Sequence, residues 1–135
     1  MAVLVEFETS KFNLTSEPEN EFNQIFGHSI LLWIVERCPE VTFEGTPETE
    51  DWGWRIDAIW DDRRYMIGAS AEYDKPGVAW CVVQIEKRRS LKEKLFRLER
   101  LDESDGLVLQ IADLFLNGSE FSKVECRLEI PNAVE

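Results

Sequence analysis

Val3, Val5 and Phe7 alternate with Leu4, Glu6 and Glu8, and that period of two predicts a strand at the start of the chain. Phe22, Ile25, Phe26, Ser29, Ile30 and Trp33 then recur at helical spacing. Thr15 or Ser16 is the expected cap, Pro18 fits the first turn, and Glu17 and Glu19 suit the positive end of the dipole. The Gly27-His28-Ser29 interruption weakens this helix without being expected to break it, and Cys38-Pro39 ends it.

The clearest alternation runs from Trp52 to Trp60. Trp52, Trp54, Ile56, Ala58 and Trp60 share one parity, so one buried face is expected to take them all. A polar turn, Asp61 to Arg64, leads to a second strand from Tyr65 to Ala71, in which Gly68 signals close approach by a neighbour. Asp74-Lys75-Pro76-Gly77 is a turn, and a third strand follows from Val78 to Glu86. Strands on short turns make an antiparallel meander.

Ser90 with Glu93 three residues on reads as a capping box. Leu91, Leu95, Leu98 and Leu101 are the expected inward stripe of that helix. A further helix is predicted from Leu107 to Leu116, stopped by Asn117-Gly118, and a closing strand from Val124 to Ile130. Residues 131–135 are expected to fray. The order β-α-β-β-β-α-α-β predicts a single α+β domain over 1–135, a mainly antiparallel sheet with helices on one face.

Charge sharpens this picture. The chain carries 27 acidic and 15 basic residues, a net of −12. Residues 1–62 hold 14 acidic against 3 basic, and residues 63–100 hold 5 against 10. The bulk sign argues against general binding to nucleic-acid phosphates and favours a basic protein partner. The longest apolar run, Ile30 to Val35, is far short of a membrane span, and the first residues lack the pattern of a secretory signal. A cytoplasmic protein with no membrane contact is therefore expected. Cys38, Cys81 and Cys126 form no CxxC pair, and with His28 they match no zinc spacing, so buried reduced thiols and no metal or cofactor are expected.

Glu48, Glu50, Asp51, Asp57, Asp61 and Asp62 form an acidic cluster. It matches no calcium loop, and its readings are a solvated rim or a protein-contact surface. Trp52 and Trp54, flanking Gly53, are either core residues with bonded indole N–H groups or an interface anchor. Lys87 to Arg97 is a basic amphipathic segment that either packs its leucines on the sheet or meets an acidic partner. His28, the single histidine, is the only evident general base, yet no nucleophile stands at a recognised spacing from it.

The run Glu50-Asp51-Trp52-Gly53-Trp54, followed by Arg64-Tyr65-Met66-Ile67-Gly68 and Gln84-Ile85-Glu86-Lys87, resembles a pattern in small uncharacterised bacterial proteins. Lys11-Phe12-Asn13 and Trp33 fit the same pattern. The resemblance implies a bacterial cytosolic origin and brings no activity, cofactor or catalytic residue. The leading expectation is an acidic, non-enzymatic protein-binding domain, an immunity-type or other inhibitor of a basic target. Its binding residues would be Glu48, Glu50, Asp51, Trp52, Trp54, Asp57, Asp61 and Asp62. The alternatives are a small hydrolase-like enzyme assembled around His28 with Asp57, Glu72 and Tyr73, or a homo-oligomer that packs some of its five tryptophans between chains.

Overall fold

The computed structural model describes residues 2–129. Its strands are β1 (Ala2–Thr9), β2 (Thr42–Glu50), β3 (Gly53–Trp60), β4 (Arg63–Lys75), β5 (Val78–Lys87) and β6 (Phe121–Glu129). Its helices are α1 (His28–Arg37), α2 (Leu91–Leu95) and α3 (Gly106–Leu116), with one 3-10 turn at Leu14–Ser16. The six strands form one sheet in the order β2-β3-β4-β5-β1-β6, and every neighbouring pair is antiparallel. The expected α+β architecture is what the chain adopts. Ile130 of the expected closing strand and the 131–135 end lie outside the described residues.

Side chains alternate across the sheet as the sequence pattern demands. Val3, Val5, Phe7, Ile56, Ala58, Ile67, Ala69, Cys81, Val83 and Ile85 are buried on one face. Ile30, Leu31 and Ile34 of α1 and Leu107, Val108, Ile111 and Phe115 of α3 supply the opposing layer. Phe7 stacks on Phe115 with ring centroids 4.4 Å apart, Phe121 meets both edge-on, and Trp33 lies 5.3 Å from Phe115. This cluster joins β1, β6, α1 and α3, and each aromatic pair contributes about 0.5–1.5 kcal/mol beyond the area it buries.

Four elements differ from the sequence pattern. An additional strand, β2, occupies the sheet edge. The first helix begins at His28, eleven residues after Glu17, and the intervening chain is irregular. Glu17 still serves the helix start: its carboxylate accepts from the backbone N–H of Gly27, His28 and Ser29 at 2.9, 3.1 and 2.9 Å, and from the Ser29 hydroxyl. The chain reaches the helix through an irregular segment, and an acidic side chain from a distance satisfies the orphan donors that a local cap would have taken.

The capping box Ser90–Glu93 is present, but α2 has a single turn and its leucine stripe faces solvent. Leu91, Leu95, Phe96 and Leu98 are 50–73% exposed, and only Leu101 of the expected stripe is buried. Polar contacts hold this segment: Arg63 to Glu93 at 2.6 Å and Lys87 to Glu99 at 3.1 Å. The fourth difference lies at Trp52. Trp54, Ile56 and Ala58 are buried among the core residues as expected, whereas Trp52 leaves their parity and packs over Gly68, whose parity is opposite to that of the buried Ile67 and Ala69.

The three cysteines form no disulfide: Cys38 and Cys81 are buried, whereas Cys126 is half-buried. Burial pushes the Cys38 thiol up to about 11, with help from Glu40, and the Cys81 thiol up to about 12. Among the described residues no helix is long and apolar enough to cross a membrane.

Candidate binding face

The helices cover one face of the sheet and leave the other without a second layer. On that second face the register sets out rows of side chains. Glu48, Arg55, Gly68, Gln84, Leu4 and Arg127 form one row across all six strands. Ser70, Val82 and Glu6 fall in the next but one position along, and Glu72, Trp80 and Glu8 follow.

Trp52 reaches this face because the turn between β2 and β3 breaks the alternation. Gly53 has φ +149°, a conformation that L side chains rarely adopt, so Trp52 and Trp54 point to opposite sides of the sheet. The turn is clamped by the irregular segment before α1. The Asn20 side-chain amide donates to the Glu50 and Gly53 carbonyls at 3.1 and 2.9 Å, and Asn23 donates to the Asp51 carbonyl at 3.2 Å. The Trp52 ring then lies across Gly68, where a Cβ would stand 2.4 Å from its Cη2 atom. The close approach signalled by Gly68 is therefore an approach by Trp52.

Between Trp52 and Trp80 lies a pocket of about 270 Å³, lined by Ile25, Ser70, Glu72 and Val82 in addition to the two indoles. Trp80 is 39% exposed, and its direct cross-strand neighbours are Glu72 on one side and Glu8 on the other. Glu8 is engaged by Lys123 at 3.3 Å, and Glu6 by Arg127 at 2.7 Å. Among the described residues, Glu72 has no Lys or Arg in ion-pair contact.

The acidic residues singled out in the sequence do not form one patch. Glu48, Glu50 and Asp57 converge on Arg55, at 3.2, 2.7 and 3.8 Å. The Glu50 contact is an ion pair whose Nε–H is not aligned for a hydrogen bond. Asp57 also lies 4.0 Å from Arg88. Asp51 is exposed in the turn beside Trp52, while Asp61 and Asp62 stand in the turn at the opposite end of β3, with φ of 51° and 60°. Trp54 is 4% exposed, and its indole Nε1 has no hydrogen-bond partner among the described residues, contrary to the expectation of a bonded core tryptophan. Among the described residues no group of three or more His, Cys, Asp or Glu side chains is placed to hold a metal ion.

The residues of the enzyme alternative do not converge. The His28 ring meets the edge of Trp54 at 4.8 Å on the helix side. Tyr73 accepts a hydrogen bond from the Leu14 N–H at 3.3 Å and packs against Phe26. Asp57 and Glu72 belong to the opposite face. Sequence reasoning missed Trp80, Ser70, Val82 and Ile25 as lining residues. The available signal was Trp80 itself, a large aromatic at the parity opposite to Ala79, Cys81, Val83 and Ile85.

Compared with known proteins, the chain matches no family model, no curated protein and no solved structure.

Proposed function

We propose that this chain is a non-enzymatic binding domain of the cytosol that recognises a basic protein through the helix-free face of its sheet, as an inhibitor or immunity-type protein recognises its target. The observation that carries this reading is the uncovered cleft between Trp52 and Trp80 beside Glu72, which meets no Lys or Arg among the described residues. Tryptophans anchor interfaces because they remove large areas from water at little conformational cost. A net charge of −12 adds attraction at long range, which speeds encounter with a cationic partner. None of the acidic residues expected to bind lines the cleft: Asp51 is exposed in the turn beside Trp52, Asp61 and Asp62 stand in the turn at the other end of β3, and Glu48, Glu50 and Asp57 are already matched by Arg55.

The test passes a cell extract over the immobilised chain and over its Trp80→Ala and Glu72→Lys variants. A retained protein of high isoelectric point, lost on both variants and released by about 0.5 M salt, supports the reading. Retention that is identical on all three columns refutes it. A second reading, self-association, is favoured by the exposed Leu91, Leu95, Phe96 and Leu98, which make a larger apolar group than isolated surface leucines do. Light scattering across a concentration series tests it: a constant monomer mass removes it.

A further inference from the structure

We propose that the cleft between Trp52 and Trp80 is a subsite for one guanidinium group, with the Trp80 indole as its stacking surface and the Glu72 carboxylate as its counter-charge. This rests on the binding-face reading and names the chemistry that the face selects. On this face Glu6, Glu8, Glu44, Glu48, Glu50 and Asp57 each have an arginine or lysine of the same chain within ion-pair distance. Glu72, Glu86 and Glu125 have none among the described residues, and of these three Glu72 alone lines the cleft, directly across from Trp80. A carboxylate left unmatched beside an indole face presents two attractions to one incoming cation, the ring quadrupole and the full negative charge.

Shape selects further. The pocket of about 270 Å³ is the size of a single side chain rather than of a helix or strand. Its floor is Ser70 and Val82, its rim is Ile25, and Trp52 closes the end opposite Trp80. The aliphatic stem of an arginine fits the apolar rim, while its planar head lies flat on an indole and forks onto a carboxylate. An ammonium head offers neither the flat surface nor the fork, so lysine is the poorer occupant. Trp52 is pinned for this role by the Asn20 and Asn23 amides, which hold its turn rigid before any ligand arrives.

The test uses the full chain and reads the indole N–H resonances, with those of Trp52 and Trp80 assigned from Trp52→Phe and Trp80→Phe. The probes are N-acetyl-arginine amide, the corresponding lysine amide, and the neutral citrulline amide, which keeps the shape of arginine without its charge. Arginine amide is expected to shift the Trp52 and Trp80 resonances saturably with a Kd on the order of millimolar, and citrulline amide to bind at least about tenfold more weakly. Glu72→Gln is expected to weaken arginine about fivefold while the Trp33 and Trp54 resonances stay in place and report an intact core. Trp80→Leu, read at Trp52, supplies an independent variant with an expected loss of about threefold.

Unmoved Trp52 and Trp80 resonances, an equal response to citrulline, or an unchanged affinity in Glu72→Gln overturns the proposal. A peptide with one internal arginine that binds more tightly than the amide assigns the guanidinium to a protein partner, and equal binding assigns it to a small guanidino compound. If arginine binds but no basic protein is retained on the column, the subsite stands and the partner reading falls. If a basic protein is retained while arginine moves nothing, the reverse holds.

Discussion

Replacing Gly53 by alanine probes how two tryptophans one residue apart come to face opposite sides of the sheet. An alanine Cβ there would stand 2.4 Å from the Ala69 carbonyl oxygen, 3.1 Å from the Ser70 Cβ and 3.3 Å from the Ala69 carbonyl carbon. Ala69 belongs to β4, paired to Trp54 on one side and Val83 on the other, so its carbonyl cannot retreat without disturbing both ladders. Two costs combine: backbone strain at φ +149°, and overpacking against main-chain atoms. Together they amount to about 2–5 kcal/mol, a large share of the roughly 5–15 kcal/mol that stabilises an ordinary domain. Two glycines are internal controls. Gly45 has φ +72° with nothing within 4 Å of an added Cβ, so Gly45→Ala costs strain alone, about 1–2 kcal/mol. At Gly68 an added Cβ meets chiefly the Trp52 ring, a half-buried side chain able to swing away. Gly68→Ala therefore costs stability on the order of 1 kcal/mol or less, but it evicts Trp52 from the cleft and abolishes the arginine response. The assay is urea unfolding followed by far-ultraviolet dichroism, which does not depend on the tryptophans. Equal midpoints for Gly53→Ala and Gly45→Ala, or a Gly68→Ala loss as large as that of Gly53→Ala, would refute the reasoning.

Phe115→Ala removes the ring that stacks on Phe7 and contacts Trp33 and Phe121, and it is expected to destabilise the domain by about 3–5 kcal/mol in the same unfolding assay. The Glu93 carboxyl is held at about 2, first by its bond from Arg63 and then by the Ser90 N–H. Because the folded value lies below the ordinary 4.5, this anchor of α2 is fully present above that pH and is lost as pH falls towards about 2; amide protection in 91–95 that does not change over this range contradicts it. The buried Cys38 and Cys81 thiols have raised values of about 11 and 12, so the fold favours their neutral forms. Stability is therefore undiminished by them below about pH 9 and falls as pH rises towards 11–12, and at about pH 8 an aromatic disulfide reagent reacts with neither unless the chain is unfolded.

What was legible in the sequence follows from where alternation is enforced by burial. The β3, β4 and β5 patterns are legible because each places one face on the helices, and the paired registers Ile56–Ile67 and Ile67–Ile85 carry the apolar side chains into one layer. The β2 strand was invisible because Thr42–Glu50 is an edge strand with a register shift between Glu44 and Glu48, and Pro47 is its one buried residue. Edge strands are kept polar, charged and interrupted, which erases the pattern by which they would be read. The start of α1 was misplaced because its carboxylate cap comes from Glu17 across a loop, and Phe22, at a helical spacing from Phe26, is 63% exposed. The leucine stripe of α2 has the spacing of a buried face, yet spacing fixes only which side chains share a side, not what lies opposite. For the candidate site, Trp52 and Gly68 were both conspicuous, but their contact depends on the dihedral of Gly53, which no periodicity encodes.

Net charge alone does not choose a binding surface on this protein. The acidic residues of β2 and β3 gather around Arg55, so at short range that region is a mixed network, and exposed ion pairs of this type contribute about 0–1 kcal/mol each. Their field is felt at a distance, where it attracts a cationic partner without fixing its orientation. Orientation needs a feature with shape, and on the helix-free face that feature is the cleft at Trp80, where the register brings Glu72 and Glu8 to either side of one indole. The two roles separate under mutation. Arg55→Gln leaves Glu48 and Glu50 unmatched and Asp57 with Arg88 alone, which deepens the negative field, so association with a basic partner quickens at low salt while arginine binding in the cleft is unchanged. Glu72→Gln takes away one charge of many, so it barely alters the approach but shortens the lifetime of the complex. A Glu72→Gln complex that dissociates no faster than the parent, with its association slowed by as much as Arg55→Gln quickens it, would mean that a diffuse acidic surface, and not the cleft, does the recognising.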